Sequence, residues 1–89
     1  MRRLVLEKSV HKELPALPAK QYRQVVSAIF DLLQEPHPHY SKRLQGSVYS
    51  RITVGEYRVI YRADDESVYI VVFGKRNDDE IYKALNRKM

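Results

Sequence analysis

No cysteine occurs in the 89 residues. Disulfides and thiolate nucleophiles are therefore excluded, and the composition suits a reducing cytoplasm. No apolar run approaches the length of a membrane-spanning helix, and the N-terminus lacks a signal-peptide pattern. No repeat, low-complexity tract or flexible linker appears. The length leaves no room for a second domain, so residues 1–89 are expected to form one domain around a modest core. Histidine is scarce: His11 falls on an early helix, and His37 and His39 fall in a proline-bounded link. Two histidines alone do not make a ligand set; they read as surface-loop residues, and neither a metal nor another cofactor is expected.

What the chain does have is basic charge. Sixteen Lys and Arg against eleven Asp and Glu give a formal net charge of +5. This balance favours an anionic partner, whether nucleic acid, an acidic protein segment or a phospholipid surface. The plainer alternative is a solvated basic surface. An apolar content of 44% and a charged fraction of 30% belong to a folded globular chain.

The chain is organised around Val48 to Tyr82. Val48, Ser50, Ile52 and Val54 alternate with Tyr49, Arg51 and Thr53, the period of a half-buried strand. Gly55-Glu56 is a tight turn, and Tyr57 to Arg62 is a second strand. After the polar turn Asp64–Ser67, the apolar run Val68–Phe73 reads as a strand covered on both faces, ended by Gly74-Lys75-Arg76. Upstream, Arg2–Leu6 is a short strand, and Ser9 can cap a helix that Pro15 ends. From Lys20, the spacing of Tyr22, Val25, Val26, Ile29, Leu32 and Leu33 makes one apolar helical stripe, closed by Pro36-His37-Pro38. Residues 41–46 form a basic connection. The order is β-α-α-β-β-β-α. It predicts an α+β fold: a twisted antiparallel sheet, helices mainly on one face, the other partly open and carrying arginines. The first strand pairs most simply beside the meander.

The stretches L-P-A-L-P, K-R-L-Q-G, R-I-T-V-G-E-Y-R-V-I-Y and G-K-R-N-D-D-E-I-Y resemble the RelE/ParE toxin superfamily over nearly the whole chain. The G-E-Y-R-V-I-Y hairpin recurs across that superfamily, whereas the G-K-R…I-Y ending resembles its RelE branch. The resemblance implies the toxin of a type II toxin-antitoxin system. Its activity would be that of a ribosome-dependent endoribonuclease cutting mRNA in the decoding site, and a cognate antitoxin would neutralise it. It also implies functional roles for Arg51, Arg58, Arg76 and Tyr82. Where RelE-like second strands often carry two basic residues around one apolar residue, this chain has Arg51-Ile52-Thr53.

Cleavage of RNA by the neighbouring 2′-hydroxyl needs a proton acceptor, charge stabilisation at the phosphate, and protonation of the leaving 5′-oxygen. Histidines would be the usual agents, but none falls among the strands. Arg58 and Arg76 can set planar charged donors on phosphate oxygens, and Arg51 can do so from the neighbouring strand. Tyr82, an ordinary phenol with a reference pKa of about 10, can take the 2′-proton if cations favour its phenolate, or it can stack on a base. Arg76 can protonate or stabilise the leaving oxygen. Thr53 can bond a phosphate without charge, and Lys75, Lys42 or Arg43 can compensate; with Lys83, these last two also suit docking on ribosomal RNA. Structural readings stand beside these. Arg51, Arg58 and Arg62 can pair with Asp64, Asp65 or Glu66 across strands. Tyr82 can pack the last helix, and Tyr49, Tyr57, Tyr61 and Tyr69 read as sheet packing rather than base-stacking platforms.

Two further functional classes remain: a ParE-like inhibitor of DNA gyrase without nuclease activity, and a non-catalytic basic binding module. An antitoxin is expected to bring an acidic amphipathic or extended segment. It would either displace the last helix, placed at 78–87 with the short stripe Ile81, Tyr82 and Leu85, or cap Arg58 and Arg76 directly.

Overall fold

The computed structural model describes residues 1–75 and 80–88. Its elements are β1 (Arg3–Leu6), α1 (Lys8–Glu13), a 3-10 turn (Leu14–Ala16), α2 (Ala19–Gln34), β2 (Lys42–Arg43), β3 (Ser50–Val54), β4 (Tyr57–Ala63), β5 (Ser67–Lys75) and α3 (Glu80–Lys88). They build one five-stranded sheet in the order β1-β5-β4-β3-β2, an α+β architecture.

The meander β3-β4-β5 is antiparallel throughout. Gly55 opens the β3–β4 hairpin with φ of +59°, a conformation that glycine adopts without strain and that matches the twist of two-residue hairpins. At the next turn the Asp64 carboxylate accepts the backbone N–H groups of Glu66 and Ser67, both at 2.8 Å. These two bonds hold its carboxyl below the usual carboxylate range. β1 lies beside the meander, on the free edge of β5, and runs parallel to it, with Leu4 opposite Val68 and Leu6 opposite Ile70. A parallel neighbour needs a long connection, and here everything from α1 to β4 intervenes.

Apolar residues cover both faces of the sheet. On one face Val10, Leu14, Val25, Ile29, Leu32 and Leu33 of the helical segments pack on Ile52, Val59, Tyr61, Val68 and Ile70. On the other, Ile81 and Leu85 of α3 cover Ile60, Val71 and Val72. β5 is thus buried on both sides, which is why its sequence reads as an unbroken apolar run. A bulge makes this possible. Ile60 pairs with Val72 but Tyr61 pairs with Ile70, so Val71 is an extra residue, and both valines serve the α3 face.

Several boundaries differ from those read in the sequence. α1 begins at Lys8 with Glu7 at its cap position, so Ser9 sits inside the first turn. Val48 is 61% exposed and precedes the strand, which begins at Ser50. The basic connection contains β2, paired to β3 through Lys42–Arg51 and Arg43–Ser50. β5 continues past Gly74 to Lys75. α3 is described from Glu80, so the part of the expected 78–87 helix before it lies outside the described residues. Among the described residues no helix is long and apolar enough to cross a membrane.

Candidate nucleic-acid interface

Register decides which side chains share a face, because residues directly opposite one another in a sheet project to the same side. One row across the sheet is Lys42, Arg51, Ile60 and Val72. The next is Thr53, Arg58 and Gly74. Ile60 and Val72 belong to the cluster under α3, so both rows lie on the α3 face. Lys42, Arg51, Thr53 and Arg58 are therefore brought together beside that helix, with Lys42 and Thr53 exposed and the two arginines half-buried.

Ile81 packs over the end of β5 at Gly74. A Cβ built there would lie 3.6 Å from the Ile81 Cβ, an ordinary van der Waals contact, so helix and strand meet closely at this point. With Ile81 seated, Tyr82 turns toward Arg58, and Arg58 Nη1 donates to the Tyr82 hydroxyl oxygen at 2.8 Å. Arg58 Nε is buried and has no hydrogen-bond partner among the described residues. Among the described residues the Tyr82 phenol is the one hydrogen-bond partner of this arginine, whose planar fork carries further N–H donors.

The other nominated residues fall elsewhere. Arg43 lies opposite Ser50, on the α1–α2 face, and its Nε donates to the Ser47 carbonyl at 2.9 Å. Lys75 lies opposite Tyr57, again on the α1–α2 face, where the Tyr57 and Phe73 rings are 6.5 Å apart. Arg76 lies outside the described residues. Lys83 is exposed on α3. The histidines stand apart from this face: the His37 N–H donates to the Glu35 carboxylate at 2.9 Å, and His39 meets Tyr40 edge-on at 5.4 Å. Among the described residues, no three His, Cys, Asp or Glu side chains gather as a metal site would require.

The tyrosines divide by face. Tyr61 is wholly buried, and its hydroxyl donates to the Pro36 carbonyl at 2.6 Å, fastening the link after α2 to the sheet. Burial raises the Tyr61 phenol above its ordinary value. Tyr57 packs on the α1–α2 side. Tyr49 and Tyr69 are half-buried, and the Arg62 guanidinium lies 3.9 Å over the Tyr69 ring. The period-two series Arg58, Ile60, Arg62 is the sequence signal that places Arg62 on the face of Arg58.

A family model described as the ParE toxin of type II toxin-antitoxin systems matches residues 4–80. No curated protein sequence matches the chain. Among solved structures, a double mutant of the E. coli toxin RelE in the free state superposes with a TM-score of 0.81 at 22% identity, over 99% of this chain and 98% of that one, a likeness of fold. A chain of the archaeal RelE–RelB complex from Pyrococcus horikoshii is 30% identical, with a TM-score of 0.75 over 84% of this chain and 94% of that one. A chain of the RelBE2 toxin-antitoxin complex from Mycobacterium tuberculosis is 28% identical, with a TM-score of 0.70 over 84% and 98%. With the toxin family model spanning most of the chain and the archaeal relative close in sequence, the protein belongs to the RelE/ParE superfamily of type II toxins, in its RelE-like branch.

Proposed function

We propose that this toxin is a ribosome-dependent endoribonuclease that cleaves mRNA in the decoding site. The observation that carries the reading is the Arg58–Tyr82 hydrogen bond at 2.8 Å on a face shared with Lys42, Arg51 and Thr53. It sets a phenol against an always-charged guanidinium that can donate to phosphate, two of the three functions that in-line attack by a 2′-hydroxyl requires. In this reading Arg58 grips the scissile phosphate and Tyr82, acting as its phenolate, takes the 2′-proton. Arg51 and Lys42 hold the adjoining phosphates, Thr53 adds an uncharged hydrogen bond, and Arg76 serves the leaving oxygen. Arg43 and Lys75, on the opposite face, are left out of this strand's path. A site with no histidine and no strong acid–base pair is a poor nuclease on free RNA, and the ribosome can hold the mRNA near in-line geometry, an effect worth up to several kcal/mol.

The partner is a cognate antitoxin, as in the toxin-antitoxin complexes that this chain resembles. Among the described residues, Ile81, Leu85 and the Tyr82 contact anchor α3, and an antitoxin helix could replace them. Displacement would carry Tyr82 away from Arg58 and predicts faster amide exchange across residues 80–87 in the complex. Unchanged or slower exchange there would mean direct capping of the arginines instead.

The family model's description favours one second reading, a ParE-like gyrase inhibitor. Primer extension on mRNA in a translation mixture, run beside a plasmid supercoiling assay, separates the two. Discrete mRNA cuts with unchanged supercoiling support the nuclease. Intact mRNA with altered supercoiling refutes it in favour of gyrase inhibition.

A further inference from the structure

A third row crosses the α3 face beyond the two that hold the proposed cleavage site. Arg62 lies opposite Tyr69, and Tyr69 lies opposite Val5. Tyr49 precedes Ser50, which pairs with Tyr61, so it continues this row on the far side of Arg62. An arginine thus sits between two tyrosines, its guanidinium already stacked 3.9 Å over one ring. The same side chains, with Val5, Lys8 and Val71, line a cleft of about 270 Å³.

We infer that this cleft is a nucleobase subsite for the mRNA strand leaving the cleavage site, with Arg62 and the Tyr49 and Tyr69 rings as its stacking surfaces. The inference rests on the nuclease reading above. Aromatic rings and a flat guanidinium offer faces to any base, which is how single strands are held without sequence readout. The phosphates have their own cations on the intervening row, at Lys42 and Arg51. Arg62 and Arg58 are four residues apart on β4, about 13 Å at the rise of a strand, a distance that a short run of extended RNA spans. Arg58, Arg51 and Arg62 share one face of β3 and β4, with Arg51 on the β3 side of the buried Ile60.

The test uses the full chain with ribosomes programmed by an mRNA carrying 2-aminopurine at successive positions beside the cut. The non-cleaving Tyr82→Phe protein should quench the fluorophore strongly at one position away from the scissile bond. Adding Arg62→Gln or Tyr69→Leu should abolish that quench. In the cleaving background, each change should raise the half-saturating protein concentration about tenfold while lowering the maximal rate much less. Urea unfolding checks that each variant is folded, and the two variants act on different sides of the stack, so one remains informative if the other is unstable. Unchanged quench and unchanged half-saturation in a folded variant overturn the subsite while leaving the nuclease reading intact. Variants that cleave normally but lose antitoxin affinity assign the cleft to the protein partner and overturn it as well. Intact ribosome-bound mRNA with the unsubstituted toxin overturns both readings.

Discussion

Replacing Tyr82 with phenylalanine removes one oxygen, and the structure says what that oxygen does. It accepts a bond from Arg58 Nη1 at 2.8 Å, while Arg58 Nε already lacks a partner among the described residues. A hydrogen bond to a charged group contributes roughly 1.5–3 kcal/mol when shielded from water. Both side chains are half-buried, so solvent recovers part of that, and a loss of about 1 kcal/mol is expected. In a domain of this size such a loss lowers Tm by about 4–8 °C. Catalysis should fall much further, by about 10²–10⁴, if the phenol moves the 2′-proton. Urea unfolding and ribosome-dependent cleavage, measured on Tyr82→Phe, Arg58→Ala and the double variant, give both quantities. Stability coupling of about 1 kcal/mol between the two positions supports the contact. Full cleavage by a folded Tyr82→Phe protein would refute the assignment of Tyr82 to the chemistry, whatever the stability change.

Thr53→Lys adds a cation opposite Arg58 on the proposed RNA face, so cleavage should be equal or higher; a large loss would reveal a role for the hydroxyl that phosphate binding does not explain. Tyr61→Phe strands the Pro36 carbonyl and should cost about 1–2 kcal/mol in urea unfolding without changing cleavage per folded molecule. The Tyr61 phenol titrates above its ordinary value in the fold, so its contribution is complete below about pH 10 and is lost as pH rises through the higher folded value. The alkaline limb of the stability profile should flatten in Tyr61→Phe. Asp64 is depressed, so its contribution is present above about pH 4 and is lost as pH falls through the lower folded value. Asp64→Asn should flatten the acid limb, and an unchanged limb would count against the turn geometry.

The sequence was most legible where burial imposes a period. The stripe on α2 and the alternation in β3 located the core, because Val25, Ile29, Leu32 and Ile52 must all leave water. The position of β1 beside the meander was also readable; its parallel direction was not, since four residues carry no directional signal. β2 escaped notice because Lys42–Arg43 is two exposed residues with no apolar alternation, recognisable only by its pairing with Ser50 and Arg51. The bulge at Val71 was hidden for the opposite reason, since every neighbour is apolar and no change of pattern marks the extra residue. At the candidate site, Arg58 and Tyr82 could be nominated by type, but their contact depends on α3 crossing back over Gly74, a tertiary fact 24 residues removed from the strand. The separation of Arg43 and Lys75 from Arg58 follows from register, which a count of charges does not contain.

The most direct test of the nuclease account compares one mRNA cut by the purified toxin with and without ribosomes, under the same salt and protein concentrations. Cuts that appear only on ribosome-bound mRNA, and that vanish with Tyr82→Phe, are the predicted result. Cleavage of naked RNA at a rate matching the ribosome-bound one, or mRNA left whole in both arms, would contradict it.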